Sequence, residues 1–393
     1  MSKSLEFPIE IPVELAEEFE KKLAYICEGL VAAEYDPARQ IARILVEESA
    51  NLPGPVFEQR LHEVAKKLIG SFGSGSRRTL ASREPSGAQH PDPHPVLAAS
   101  EEVRTYGNGR LGLGPKLTGL VQALDRVIAR QFSGFTTEAY QFPSLISGEV
   151  LHRCRYLKNF PASLTLATHL REDLGLLQEF AAEVRWEKEH VEFPARAAAP
   201  VEVLLAPSVC FHWYAWLSGQ ELRSSRIATA LGKCFRYEST NLLGLERLWD
   251  FSMREVIFAG EPTEVMRLRQ EALAAGHRVL ESLELGFEIA TGRDPFFIDS
   301  FAVQAAFQEG FELKHELLCL LPYKNKHIAV GSVNYHQDFF GRAFDISLSG
   351  HPCHTACIGF GLERLGLAIL AQHGTEESGW PAVLREAIRS WGR

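Results

Sequence analysis

The sequence contains no CxxC pair, and its seven cysteines are scattered through 393 residues. This excludes a zinc-knuckle array and argues against a disulfide framework, so reduced thiols in a cytoplasmic protein are expected. No uncharged apolar run reaches about 18 residues, which argues against a membrane helix. The opening stretch MSKSLEFPIEIPVELAEEFE is acidic and lacks the apolar centre of a signal peptide. A basic excess is also missing: the net charge is −9. Such a chain has no overall electrostatic attraction for nucleic acid, although a local basic patch stays open.

What is present suits a soluble globular protein. Hydrophobic residues make up 46% and charged residues 23%, over a length ample for a large core and more than one domain. Residues 1–70 read as a helical N-terminal region. Leu15, Phe19, Leu23, Ile26 and Leu30 recur at helical spacing, and Pro37 can start a second helix carrying Ile41, Ile44 and Leu45. A third follows Pro53 and Pro55, with Phe57, Leu61, Val64 and Leu68. Residues 71–96, rich in Gly, Ser and Pro, read as a linker or loop. The main domain then spans 97–393.

It opens with a long amphipathic helix, GPKLTGLVQALDRVIARQF, which aligns Leu117, Leu120, Leu124, Val127 and Ile128. From about residue 200, β-type segments alternate with helices. VEVLLA, the segments around FRYES, HIAVGSVNYHQ and AFDISL read as strands. Residues 262–286 and the segment LERLGLAILAQHG read as helices, with Gly374 as a stop. This order predicts an α+β domain with a mainly antiparallel sheet covered by helices.

Two segments carry chemistry. Period two places Cys234, Arg236 and Glu238 on one face of a strand, and Phe251, Met253 and Glu255 on one face of its returning partner. Arg236 could grip a phosphate, or simply form a cross-strand ion pair with Glu238. Phe251 could stack on a flat base, and Arg247 offers a second cation in the loop STNLLGLERL. In GFGLERL, a helix N-terminus presents amide donors to an anion and Arg364 adds charge; turn glycines and a solvated arginine are the plainer alternative.

Taken in order, TTEAYQFPSLIS, FRYES, RLWDFS and GFGLERL resemble motifs 1, 2 and 3 of the class II aminoacyl-tRNA synthetases. The resemblance implies Arg236 on the α-phosphate of ATP, Glu238 and Phe251 at the adenine, and Arg364 on the γ-phosphate, with Mg²⁺ accompanying the nucleotide. It makes Arg236 and Arg364 the catalytic cations, and the first motif the seat of a homodimer. APSVCFHWYAWLSGQ, RLWDFSMREVIFAG and HPCHTACIGFG extend the resemblance. Residues 97–390 are similar to amino acid:[carrier protein] ligases, homologues of the atypical, zinc-containing seryl-tRNA synthetases. The implied fold is a class II synthetase-like antiparallel sheet flanked by helices.

That resemblance implies Zn²⁺ on Cys210, Glu255 and Cys357, where it selects a small amino acid such as glycine or alanine. The product is an aminoacyl adenylate, then an aminoacyl thioester on a carrier's phosphopantetheine. Cys353, four residues earlier, competes with Cys357; the motif favours the cysteine directly before GFG. Without the resemblance, each cysteine reads as a small core residue. Glu316, Asn334 and His336 are candidates for contacts to magnesium or the amino acid, and equally solvated strand ends.

Two rival readings remain. A seryl-type synthetase would use residues 1–70 as a tRNA arm, but thirteen acidic against eight basic residues there disfavour it. A catalytically silent regulator built on the same fold is disfavoured by retention of Arg236, Glu238 and Arg364. The expected partners are therefore ATP, a small amino acid and a carrier protein, without tRNA.

Overall fold

The computed structural model describes residues 2–27, 29–47, 54–70, 78–87, 90–135, 137–292 and 313–390. The N-terminal region is not purely helical. Its elements are β1 (Ser2–Pro8), α1 (Ala16–Leu23), β2 (Leu30–Asp36), β3 (Ile41–Glu47) and α2 (Gly54–Gly70). The strands form an antiparallel sheet of order β1-β3-β2.

The expected helix after Pro37 is corrected: Ile41, Ile44 and Leu45 lie in the central strand. Ala42, Ile44 and Val46 alternate inward with period two. Branched side chains suit that pleated, half-buried position better than a helix. Leu30 likewise begins a strand, whereas Leu15, Phe19, Leu23 and Ile26 are buried around α1 as the spacing required. Phe57, Leu61 and Leu68 of α2 complete this separate core.

The main sheet has eight strands. They are β4 (Thr79–Arg83), β5 (Glu138–Tyr140), β6 (Arg226–Phe235), β7 (Asp250–Gly260), β8 (Phe287–Thr291), β9 (Lys314–Leu321), β10 (Lys326–Gln337) and β11 (His354–Gly361). Their order is β4-β8-β9-β10-β11-β7-β6-β5. All neighbours are antiparallel except β5, which lies parallel to β6. The stretch read as a linker is thus partly structured. Residues 79–83 pair with Phe287–Ala290 at the sheet edge, and Pro93–Ala99 is a short helix capped by Asp92. Residues 71–77 and 88–89 lie outside the described residues. AFDISL yields only a two-residue strand, Ser347–Leu348, because Asp345 adopts a positive φ of 53° that breaks the extended run.

Helices α3 (Pro115–Gln131), α5 (Pro262–Ser282), α6 (Leu362–His373) and α7 (Ala382–Arg389) supply the core on one sheet face. Pro262 sits in the first turn of α5, and Gly374, with φ of 80°, ends α6. Arg254 clamps α3 to the sheet through two bonds to Asp125, at 2.6 and 2.7 Å. Strand alternation then divides the two faces. Val256 and Phe258 of β7 enter the helix-covered core, whereas Ile257 and Ala259 face the opposite side with Cys357. There α4 (Cys210–Trp216) packs on the sheet. Among the described residues no helix is long and apolar enough to cross a membrane.

Candidate active site

Three ligand types converge where β7, β11 and α4 meet. The side-chain donor atoms of Cys210, Glu255 and Cys357 lie within 4.8 Å of one another, and all three residues are buried. Glu255 sits opposite Gly359, and Cys357 opposite Ile257, so the two side chains are diagonal neighbours on one face. Gly359 makes this possible, because a Cβ there would stand 3.3 Å from Glu255 Cγ and 2.9 Å from Met253 Cε. Cys210 arrives from the first residue of α4.

Glu255 Oε1 accepts from Ser208 Oγ at 3.0 Å and from the Val209 amide at 3.1 Å, while Oε2 is buried with no partner. Burial, reinforced by Cys357, pushes this carboxyl up to about 7. Cys210 and Cys357 share a hydrogen bond that holds the Cys210 thiol up and draws Cys357 down. A buried orphan carboxylate oxygen beside two thiols is a poor resting arrangement for a core, but suits Zn²⁺ with one position open. Asn334 Nδ2 lies 3.8 Å from Cys357 Sγ, and His336 Nε2 3.9 Å from it. Cys353 is buried but lies outside this cluster, and burial pushes its thiol up to about 11.

The same sheet face carries the cationic residues. Arg236 follows the end of β6, its guanidinium 5.5 Å from the centre of the Phe251 ring and its Nε bonded to Pro207 O at 2.9 Å. Glu238 forms an ion pair with Arg247 across the base of the loop. Arg364, in the first turn of α6, donates to Glu246 O at 2.6 Å and Ala329 O at 2.9 Å. Burial, with Arg247 nearby, lowers Arg364 to about 10. Arg236, Glu238, Arg247 and Arg364 thus form one electrostatic cluster. Glu316, on β9 opposite Ser332 of β10, forms an ion pair with Lys314 at 3.1 Å.

Sequence reasoning missed Glu363. Buried at the start of α6, it accepts from the Ser252 amide at 2.8 Å and the Ser252 hydroxyl at 2.8 Å. It thereby ties the two arginine-bearing segments together. Its position beside Arg364 was the available signal. Ser208 was similarly visible two residues before Cys210, but its bond to Glu255 crosses 47 positions.

No family model matches the chain. Individual relatives do. Amino acid–[acyl-carrier-protein] ligase 1 of Bradyrhizobium diazoefficiens is 32% identical over 259 residues, 64% of this chain and 76% of that protein. Ligase 2 of the same organism is 30% identical over 276 residues, 68% and 79% of the two chains. The chain belongs to the amino acid–[acyl-carrier-protein] ligase family.

As a member of that family it is an ATP-dependent ligase. The type-2 serine–tRNA ligase of Methanopyrus kandleri is also similar, 30% identical over 300 residues, 72% of this chain and 57% of that one. Among solved structures, M. kandleri SerRS in complex with A. aeolicus tRNASec superposes with a TM-score of 0.69 at 22% identity, covering 99% of this chain and 77% of that chain. A cytoplasmic serine-tRNA ligase from Naegleria fowleri superposes with a TM-score of 0.61 at 14% identity, over 85% and 71%. The fold of this ligase is therefore the α+β fold of the class II synthetases.

Proposed function

We propose that this ligase activates a small amino acid with ATP and transfers it to the phosphopantetheine thiol of a carrier protein. One observation carries the reading: the Cys210, Glu255 and Cys357 cluster lies on the same sheet face as Arg236 and Phe251. A metal-type site and a phosphate-type site thus adjoin on two neighbouring strands, β7 and β11, and on the chain following β6.

The residues present take these parts. Arg236 holds the α-phosphate and Arg364 the γ-phosphate, exchanging their bonds to backbone carbonyls for phosphate oxygens. Glu238 and Phe251 receive the adenine, and Arg247 adds a cation over the phosphates. The amino acid's carboxylate attacks the α-phosphorus, pyrophosphate leaves, and the arginines stabilise the developing charge. Zn²⁺, held by Cys210, Glu255 and Cys357, would take the substrate's amino group at its open position, and Mg²⁺ would accompany ATP. Asn334 lies beside this substrate position, and Glu316, opposite Ser332 on the next strand, flanks Asn334. Residues 97–393 form the catalytic unit, working as a homodimer through the segment around α3 and β5, in the cytoplasm.

The test has two stages. Pyrophosphate exchange is measured across the amino acids, and the activated enzyme is offered bulk tRNA and a phosphopantetheinylated carrier separately. Exchange restricted to small amino acids, with transfer to the carrier, is expected. Aminoacylation of tRNA but not of carrier would move the reading to the seryl-tRNA ligases that the chain also resembles. No exchange with zinc bound would favour a silent regulator.

A further inference from the structure

The N-terminal sheet and helices build their own core, yet they touch the main domain at one informative place. The C-terminal end of α1 leaves carbonyls that no helical amide reaches. Two of them accept side chains from the loop after Glu238. Asn241 Nδ2 donates to Lys21 O at 3.0 Å, and Ser239 Oγ to Ala24 O at 3.3 Å. Both bonds reach residues that directly follow Glu238 in the chain. Glu17 adds an ion pair to Lys326 at 3.3 Å.

The far end of the loop is held by the main domain. The Leu245 amide donates to His94 Nε2 at 3.2 Å, and the Trp249 amide to Gly109 O at 2.9 Å. The near end is also tied to the main domain, by the Tyr237 amide donating to Ser163 O at 3.1 Å, but between these anchors Ser239 and Asn241 bond through their side chains to the end of α1. Ser239 accepts a positive φ of 51° to make that contact.

We propose that the C-terminal turn of α1 is a positioning element of the nucleotide site, holding Glu238 and Arg247 in place for ATP through Ser239 and Asn241. This rests on the ATP reading above. Neither Ser239 nor Asn241 touches a reacting atom; each acts through the loop. Losing the clamp therefore weakens ATP capture while leaving chemistry on the bound nucleotide nearly intact.

The experiment compares Ser239→Ala, Asn241→Ala and the double variant in pyrophosphate exchange. Loss of one such bond raises the KM for ATP about three- to tenfold, with kcat within about twofold and the amino-acid KM unchanged. The double variant, which frees the loop from α1 altogether, is at least as impaired as either single variant. A KM for ATP unchanged in both single variants overturns the proposal, as does a fall in kcat alone that follows a lower melting temperature. Absence of exchange in the unaltered protein would refute the parent reading; calorimetric ATP affinity of the same variants would still decide this one.

Discussion

Glu255 and Cys357 meet diagonally across two antiparallel strands, each opposite the other's neighbour but one, and Gly359 leaves the space between them. The metal-type site is therefore a property of strand register. A slip of one residue would turn either side chain to the opposite, helix-covered face.

Metal content distinguishes the two nearby cysteines. Cys357→Ser is expected to lose zinc, and Cys353→Ser to keep it, as read by elemental analysis of purified protein. Zinc loss on Cys353→Ser alone would overturn the ligand assignment.

Gly359→Ala places a methyl group against Glu255 and Met253. Met253 can move, but the Glu255 carboxylate is fixed by Ser208 and Val209. Overpacking of this kind costs about 1–3 kcal/mol. The amino-acid KM is expected to rise more than the ATP KM, and equal changes would argue that the damage is general.

Glu363→Gln keeps the shape but removes the charge that receives two donors from Ser252. Hydrogen bonds to a buried charge are worth about 1.5–3 kcal/mol, so a melting temperature several degrees lower is expected. Ser252→Ala should cost less, because the Ser252 amide still donates.

Arg364→Lys and Arg236→Lys preserve charge and lose the planar fork. About a hundredfold loss of pyrophosphate exchange is expected for each, measured at saturating amino acid. Exchange within a few fold of normal would remove that arginine from the phosphate site.

Stability should depend on pH through His315. Burial, followed by Arg269 and Arg78, lowers this imidazole from 6.5 to about 4. The unfolded chain takes up a proton as pH falls below 6.5, whereas the folded protein resists until about 4. Stability is thus present above 6.5 and lost progressively down to 4, by on the order of 3 kcal/mol at most. His315→Gln should flatten that slope in a melting series.

Local chemistry was legible wherever spacing governs it. Phe251, Met253 and Glu255 fell on one face of β7 because strands alternate, and Pro262 and Gly374 bounded their helices as expected; Arg236 and Glu238, read as continuing the first strand, instead lie past its end at Phe235. Cys210 and Cys357 were legible only through resemblance, since 147 positions separate them and no spacing rule connects them. The segment after Pro37 misled because Ile41, Ile44 and Leu45 fit a helical spacing as well as an extended one. Only packing between two other strands selects the strand.

The sequence by itself determined the chemical inventory: two arginine-bearing segments in a fixed order, an acidic balance, and a thiol beside the second segment. Tertiary structure decided which residues share a point in space. Through the register of β11 against β7 it brought Cys357, and not Cys353, beside Cys210 and Glu255. It also made Glu363 the tie to Ser252, and brought the end of α1 to the loop that follows Glu238. Those choices depend on contacts between residues far apart in the chain. Such contacts form only when buried apolar faces fix how strands and helices sit together.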